Sequence, residues 1–443
     1  MAARGRTMRT PTTMSVAERA ATLRRRAAAP VDNFRPGTAA ESRSQSEAFS
    51  LARVDGWLLA VIASLCAFGL VMVYSASEAL GYSAYGNPNY FFQRQILWLG
   101  LGIVLMVGAA RVDYHRWRGW SKKLALGTLV LLMAVLLPHV GTQVLGARRW
   151  IVVGPLSVQP SALATLMCIV AFSRWLVDRG PAVRSRRIVR DYGLLLFGLL
   201  SLVLLEKDLG SSVILAAIGI VLIALKGARK RHLIVMVALL GGLGYLAITL
   251  VSYRATRIVN FRDPFADPLN AGYQMVHSLF ALGSGGFTGV GLGNSIEKFQ
   301  WLPEAHTDFI FAIIGEELGL VGTLGVVGGF VLLAWRGVRT SLRAPDSYGA
   351  LVAGGITAWI CVQAFINVAA VTNVVPTTGV PLPFISYGGS SLAMTLLAVG
   401  ILCNISAQGR RQGVNRRAHV DRWRGDRGTP DSRAGGRAGV AAR

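Results

Sequence analysis

Charged residues are scarce in this chain of 443 amino acids: Asp, Glu, Lys and Arg together make up 15% of it. A soluble domain usually carries about a quarter. Acidic residues are the scarcer sign, with 22 Asp and Glu against 46 Lys and Arg. This shortage excludes an ordinary soluble globular protein. The apolar share of 53% and the mean hydropathy of +0.48 indicate an integral membrane protein instead.

Cysteine and histidine are also few, and their positions exclude two kinds of site. The four cysteines all fall inside apolar runs, where a thiol serves as a small packing residue: Cys66, Cys168, Cys361 and Cys403. The six histidines show no metal-ligand spacing. We therefore predict neither a disulfide framework nor a protein-bound metal.

Long apolar runs recur along the chain, and a run of about 20 residues is enough to cross the hydrocarbon core of a bilayer as a helix. We predict an all-α membrane protein with about ten transmembrane helices. The short run at 124–140 and the three-residue break at 206–208 leave eight or nine as alternatives. The predicted spans are 56–77, 91–110, 124–140, 159–178, 191–206, 209–226, 233–253, 308–335, 350–371 and 388–407.

Basic residues indicate the orientation, because they concentrate in cytoplasmic loops. Alternate connections and the two tails hold 38 of the 46 Lys and Arg. Both termini are therefore predicted to be cytoplasmic. The net charge of +24 is explained by these loops and by attraction to anionic membrane lipids, so no nucleic-acid partner is predicted.

The same pattern divides the chain into three parts. Residues 1–54 and 408–443 are basic and poor in apolar anchors, so we predict disordered cytoplasmic tails. Residues 55–407 form the membrane domain. One outer connection, at about 254–307, is much longer than the others.

The long outer loop contains a predicted interfacial helix around 270–282, followed by a glycine run at 283–293. A nucleotide-binding loop is excluded, because no strand precedes the glycines and no Gly-Lys-Ser/Thr follows them. We expect the glycines to let backbone approach a ligand; plain flexibility is the alternative.

Asp308 stands where this loop enters the next span. A carboxylate there can act as a general base on a sugar hydroxyl. Helix capping by Thr307 or Asp308 is the alternative. Glu316 and Glu317 lie about 12 Å deeper at the rise of an α-helix. Acids inside a span are costly, and a structural role and direct chemistry both stay open for them.

Two further outer connections carry candidate residues. Arg148 and Arg149 precede Trp150; paired arginines can hold a diphosphate, or an Arg-Trp pair can anchor at the headgroups. The uncharged Pro/Gly-rich loop 376–391 implies fixed non-helical backbone, which membrane proteins tolerate only where it is sheltered.

These segments together resemble the SEDS family, which comprises FtsW and RodA, over residues 55–407. The resemblance rests on GARRWI (146–151), QPSA (159–162), DLGSS (208–212), WLPEAHTDFIFAIIGEELGLVG (301–322) and PTTGVPLPFISYGGSS (376–391). The PEAHTDF segment is more similar to the division branch, FtsW, than to the elongation branch, RodA.

The resemblance implies a peptidoglycan glycosyltransferase that polymerises lipid II at the outer face of the bacterial cytoplasmic membrane, at the division septum. It implies a class B penicillin-binding protein and other divisome membrane proteins as partners, alongside membrane lipids. It places the catalytic acid at Asp308. No motif reveals a cofactor; Mg²⁺ or Mn²⁺ bridging the substrate diphosphate is an expectation without a motif.

The remaining polar residues of these segments are assigned as hypotheses. Contact with lipid II or its diphosphate is assigned to Arg148, Arg149, Lys207, Asp208, Arg257, Lys298, His306, Ser386 and Tyr387. Structural support is assigned to Glu206, Glu316, Glu317, Gln363 and Asn367.

The fourth span departs from the family pattern. The family usually reads Gln-Pro-Ser-Glu-x-x-Lys, and this chain has Ala162 and Thr165 at the charged positions. Glu206 and Lys207 replace the family's Gln-Pro before Asp208. We expect Glu206 and Lys207 to supply the missing charges, because an uncompensated buried Asp is expensive; drift toward a less active variant is the alternative.

Two other functions stay open: a lipid II flippase or transporter, and a non-catalytic division scaffold. If the chain belongs to the RodA branch and not to the FtsW branch, the resemblance implies a role in elongation.

Overall fold

The computed structural model describes residues 54–138, 140–144, 147–153, 156–249, 261–270 and 272–425. Eleven α-helices lie within them: α1 (Gly56–Tyr85), α2 (Tyr90–Arg111), α3 (Tyr114–Leu136), α4 (Pro160–Asp178), α5 (Arg186–Leu205), α6 (Leu209–Leu225), α7 (Lys230–Thr249), α8 (Tyr273–Ser284), α9 (Ile310–Leu342), α10 (Ser347–Val371) and α11 (Gly389–Gly425). Short 3₁₀ turns occupy Gly180–Arg184 and Pro264–Ala266.

Each of the ten predicted spans corresponds to one of these helices. Within the described residues, eight are long and apolar enough to cross a membrane, namely α1 to α5 and α9 to α11. A further helix, α6, is apolar but has 17 residues. The predicted interfacial helix is α8, whose buried side chains include Met275 and Val276.

A small antiparallel sheet between α3 and α4 was not predicted. It consists of β1 (Thr142–Val144), β2 (Ala147–Val153) and β3 (Leu156–Val158), in the order β1-β2-β3. The central strand ends in Trp150, Ile151, Val152 and Val153, which are aromatic and β-branched residues that favour strands. The sequence was interpreted here only for diphosphate binding or headgroup anchoring by Arg148, Arg149 and Trp150, so the sheet was missed.

Helix α9 is interrupted at Gly319, where φ is 61° and ψ is −158°. The loop after α8 forms hydrogen bonds with the backbone groups that this interruption leaves without helical partners. The backbone N–H groups of Val290 and Gly291 donate to the carbonyls of Glu316 and Glu317 at 2.9 and 3.0 Å. In the other direction, the backbone N–H of Leu320 donates to the carbonyl of Gly286 at 2.9 Å. Backbone groups at membrane depth need such partners, and the loop supplies them.

The glycine run therefore serves a different purpose from the predicted one. A Cβ on Gly289 would lie 2.1 Å from the carbonyl oxygen of Glu317, and one on Gly285 would lie 1.8 Å from that of Gly315. The glycines let this loop approach the backbone of α9. The prediction that they serve ligand approach is wrong at these two positions.

The last helix continues to Gly425, beyond the predicted end of the span at residue 407. The prediction of a disordered tail is therefore wrong for 408–425. Adding residues to an existing helix needs no new nucleus, and this segment contains several good helix formers, Arg and Gln among them. Residues 1–53 and 426–443 lie outside the described part of the chain.

Two ion pairs of the buried Asp55 join the predicted cytoplasmic ends of three helices. Asp55 caps α1 through the N–H groups of Trp57 and Leu58. Its carboxylate also pairs with Arg336 of α9 and, at 3.3 Å, with Arg410 of α11. One acid thus ties α1, α9 and α11 together and leaves their other ends to form the outer face.

Candidate functional site

Asp308 lies just outside helix α9, on the loop that enters it. The helix begins at Ile310, and its N-cap is Phe309, which makes no side-chain capping bond. The hydroxyl of Thr307 donates instead to the carboxylate of Glu304 at 2.7 Å. The N-cap of α9 is therefore Phe309, and neither Thr307 nor Asp308 occupies that position.

The Pro/Gly-rich loop 376–391 is hydrogen-bonded to the residues around Asp308. The N–H of Tyr387 donates to the His306 carbonyl at 2.9 Å. The Ser386 hydroxyl donates to the Thr307 carbonyl at 2.6 Å. These bonds bring together Ser386, Tyr387 and His306, three residues assigned to substrate contact, beside Asp308.

Two amide side chains of α10 hold both segments. The Nδ2 group of Asn367 donates to the carbonyls of Asp308 and Val380, each at 2.8 Å. The Nε2 group of Gln363 donates to the Pro381 carbonyl at 2.9 Å. Asn367 and Gln363 therefore have the supporting geometry expected of them: they orient backbone on both sides of the carboxylate.

Gly379 brings loop 376–391 against the acid itself. Its φ is +69°, and a Cβ placed there would lie 3.4 Å from Oδ2 of Asp308. The left-handed conformation favours glycine. The absence of a side chain keeps space beside the carboxylate.

His306 packs among aromatic rings below this loop. Its ring centroid lies 4.5 Å from that of Phe91 and 5.5 Å from that of Tyr387. Burial lowers the pKa of His306 to about 4, because a charged imidazole would lose its hydration there. The ring is therefore neutral near pH 7 and packs against Phe91 and Tyr387 without a charge.

Sequence reasoning missed Arg94 and Gln95 at the outer end of α2. Gln95 is buried, and its Nε2 group donates to the Ser386 carbonyl at 3.2 Å. Burial raises the pKa of Tyr387, while the charge of Arg94 and its hydrogen bond to the phenol act in the opposite direction. The available signal was the polar triplet Gln93-Arg94-Gln95 in an otherwise apolar run, and polar residues at membrane depth are functional candidates.

A second polar cluster surrounds Asp208, the N-cap of α6. Its carboxylate accepts from the Gln159 amide at 3.0 Å, the Ser161 hydroxyl at 3.1 Å and the Ser211 hydroxyl at 2.7 Å. Gln159 and Ser161 belong to the QPSA segment. Neutral donors therefore compensate the buried acid where the family pattern has charged residues.

Glu206 does not take the part in a charge network that we expected of it. Both carboxylate oxygens of Glu206 are buried and have no hydrogen-bond partner among the described residues. Burial, with the nearby Asp208 charge, raises the pKa of Glu206 to about 8, and Arg149 opposes the shift. Lys207 is exposed, and its backbone carbonyl accepts from the Arg149 guanidinium. Arg149 thus links β2 to the α5–α6 turn.

Lys298 and Glu317 form a buried ion pair. Their charged atoms are 3.3 Å apart, and Ser75 of α1 donates to the same carboxylate oxygen at 2.6 Å. The Lys298 ammonium also donates to the Gly293 carbonyl at 2.7 Å. Glu316 accepts from the N–H of Ile296 at 2.8 Å. Lys298 therefore holds the glycine loop onto α9, and its assignment to substrate contact stays a prediction.

Two assigned residues lie wholly or partly outside the described part of the chain: Arg257, and Arg148 beyond its backbone. Among the described residues, no group of three or more His, Cys, Asp or Glu side chains is placed to hold a metal ion.

Comparisons with known proteins agree with this architecture. Stage V sporulation protein E of Bacillus subtilis is 41% identical over 359 residues, covering 80% of this chain and 98% of that protein. The probable peptidoglycan glycosyltransferase FtsW of Geobacter metallireducens is 40% identical over 357 residues, covering 80% and 95%.

Solved structures are also similar to most of this chain. A chain from a peptidoglycan synthase complex that coordinates polymerisation and crosslinking superposes with a TM-score of 0.65 at 30% identity, covering 80% of this chain and 98% of that one. The rod shape determining protein RodA of Thermus thermophilus superposes with a TM-score of 0.60 at 28% identity, covering 80% and 96%. A family profile described as cell cycle protein, FtsW/RodA/SpoVE, matches residues 56–411. This multi-pass membrane protein therefore belongs to the FtsW/RodA/SpoVE family.

Proposed function

We propose that this chain is a peptidoglycan glycosyltransferase that polymerises lipid II at the outer face of the cytoplasmic membrane, at the division septum. The observation that carries the proposal is the bracing of Asp308. Its backbone and that of its neighbours are hydrogen-bonded to α10 and to loop 376–391, while its side chain lies beside Gly379. Two relatives with glycosyltransferase or synthase names support the reaction class.

In the proposed reaction, Asp308 accepts the proton of the acceptor sugar's 4-hydroxyl. The oxygen forms a bond to the donor's anomeric carbon as the bond to the undecaprenyl diphosphate breaks. General-base catalysis of this kind contributes about 10²–10⁴ in rate. Fixed backbone around the carboxylate matters because small errors of position are costly in such a transfer.

The leaving diphosphate needs cationic stabilisation. Arg148 and Arg149 were the first candidates, but Arg149 binds the Lys207 carbonyl. Arg94 is an additional candidate, since it contacts Tyr387 beside the Asp308 loop. A Mg²⁺ or Mn²⁺ ion at this site would be bound mainly by diphosphate oxygens of the substrate.

Polymerisation by the purified full chain tests the proposal. The chain would be mixed with lipid II and a class B penicillin-binding protein, and glycan strands separated on a gel; the penicillin-binding protein alone is the control. We expect strands only when this chain is present. Absence of strands from the folded complex would overturn the proposal and favour the flippase or scaffold.

A further inference from the structure

A lateral cleft separates α5 from α7. Its volume is about 560 Å³, within the range of ligand pockets, about 300–1,000 Å³. The walls are mainly apolar, and several of their side chains are exposed at the surface, including Leu194 (62%), Phe197 (45%) and Leu239 (62%). In the described part of α7, Met236 is the one buried side chain. The cleft is therefore open toward the surrounding lipid.

Cations line one end of this cleft. Arg186, Arg190 and Arg231 are lining residues. The segments 184–191 and 226–232 contain eight Lys and Arg but a single acid, Asp191, which pairs with Arg190 at 3.0 Å. The excess of positive charge favours an anionic group at this end.

His232 adds a polar group at the same end. Both of its ring nitrogens are shielded from solvent and lack a hydrogen-bond partner among the described residues, and the residue lines the cleft. Shielded polar atoms normally have partners. A ligand oxygen at the cationic end would supply one.

The length of the cleft indicates which kind of ligand it can hold. From His232 to Leu243 the α7 wall covers twelve residues, and the eleven steps between them span about 17 Å at the rise of an α-helix. This length is close to one leaflet, which is half of a hydrocarbon core about 30 Å thick. The cationic end belongs to loops predicted to be cytoplasmic. We propose that the cleft binds an anionic phospholipid of the cytoplasmic leaflet, with its phosphate at Arg186, Arg190, Arg231 and His232 and an acyl chain between α5 and α7.

Orientation alone does not account for this arrangement. Cytoplasmic basic residues need only lie in a loop to orient a membrane protein. Here three of them border an apolar cleft, and the ring nitrogens of the neighbouring His232 have no hydrogen-bond partner in the described part of the chain.

Native mass spectrometry of the full chain in detergent tests the charged end of the site. The protein would be offered phosphatidylglycerol and phosphatidylcholine in equal amounts. We expect retained phosphatidylglycerol to exceed phosphatidylcholine by about fivefold or more, the ratio that one surface Lys or Arg supplies. The triple variant Arg186→Gln, Arg190→Gln, Arg231→Gln removes the preference.

A matched triple variant changes the same number of charges outside the cleft: Arg184→Gln, Arg187→Gln, Lys230→Gln. We expect this control variant to keep the preference for phosphatidylglycerol over phosphatidylcholine. Equal retention of the two lipids by the wild type, or equal loss in both triple variants, would overturn the proposal. Tighter retention of an added polyprenyl phosphate than of phosphatidylglycerol would overturn the assignment to a phospholipid.

A second pair of variants tests the acyl-chain end without changing charge. Gly193 lines the cleft, and a Cβ there has no atom within 4 Å. Gly193→Phe therefore fills the cleft and abolishes retention. Gly198 also has no atom within 4 Å of a Cβ but is not a lining residue. We therefore expect Gly198→Phe to retain the lipid as the wild type does. Normal retention by Gly193→Phe would contradict the proposal even if the triple variant failed to fold.

Discussion

At the residue scale, the candidate site depends on a few side chains that orient backbone. The motif PEAHTDF drew attention to Asp308, but sequence alone left helix capping open because helix ends are uncertain by one or two residues. The structure decided this point through Phe309 at the N-cap. Asn367 and Gln363 were predictable as polar residues within a span, whereas their acceptors on loop 376–391 depend on tertiary contacts that no local pattern encodes.

Gly379→Ala tests the space beside Asp308. The positive φ strains any side chain by about 1–3 kcal/mol, and the new methyl would lie against Oδ2. We expect glycan synthesis to fall about tenfold or more, measured with lipid II. Gly388→Ala on the same loop is the control, because its Cβ would make only ordinary contacts, 3.7 Å or longer. Equal activity of the two variants would contradict this role for Gly379.

Glu206→Gln tests the unpaired buried carboxyl. Its usual pKa is 4.5, and in the folded chain it is about 8. The folded state therefore retains the proton to a higher pH than the unfolded state does. Its stability declines as the pH rises from about 4.5 to about 8. We expect Glu206→Gln to raise the apparent melting temperature at pH 8–9 by several degrees, and to change it little at pH 5.

The exposed Glu78 provides the control for this comparison. Glu78→Gln leaves the melting temperature nearly unchanged at both pH values. A Glu206→Gln effect that does not depend on pH would refute the raised pKa.

At the element scale, interrupted helix α9 and the glycine loop form one unit. The glycines, the two glutamates and Lys298 were all noticed in the sequence, yet as separate features. Their connection runs through backbone bonds between Gly286, Val290, Gly291 and α9. Sequence periodicity does not show such pairing, because it depends on where the helix breaks. The sheet β1-β2-β3 was missed because its short strands lie between spans, where only diphosphate binding and headgroup anchoring were considered.

A double-mutant cycle tests the ion pair that secures this unit. Lys298→Met leaves the Glu317 carboxylate buried without its cation, a change that costs about 3–5 kcal/mol in comparable pairs. We expect a marked loss of thermal stability. Lys298→Met combined with Glu317→Gln restores much of it, because the buried charge is gone. A double variant less stable than Lys298→Met would show that the pair is not what couples these residues.

At the scale of the whole molecule, hydropathy was the most informative signal. The ten spans each correspond to a helix because an apolar run of sufficient length has few alternatives in a bilayer. The extension of α11 to Gly425 was missed because basic composition resembles that of a disordered tail. Departures around Ala162, Glu206 and Lys207 indicated an altered network, but the neutral donors around Asp208 emerged only from the packing of α4 against α6.

Introduced cysteines test the predicted orientation. Ser83 and Asn294 are exposed on the predicted outer side, and Ser185 and Arg229 are exposed on the predicted cytoplasmic side. A membrane-impermeant maleimide is expected to label Ser83→Cys and Asn294→Cys in intact cells. Ser185→Cys and Arg229→Cys react only after permeabilisation. The reverse pattern would invert the topology and place Asp308 on the wrong face for lipid II polymerisation.

The central claim is that Asp308 performs the chemistry, and glycan synthesis by Asp308→Asn measures it most directly. The comparison uses the full chain with its penicillin-binding partner and lipid II. Glu304→Gln in the same loop is the control, since its remaining oxygen can still accept the Thr307 hydroxyl. We predict that Asp308→Asn makes at least about 100-fold less polymer while Glu304→Gln stays close to wild type. Polymer formation by folded Asp308→Asn at the wild-type rate would contradict the account.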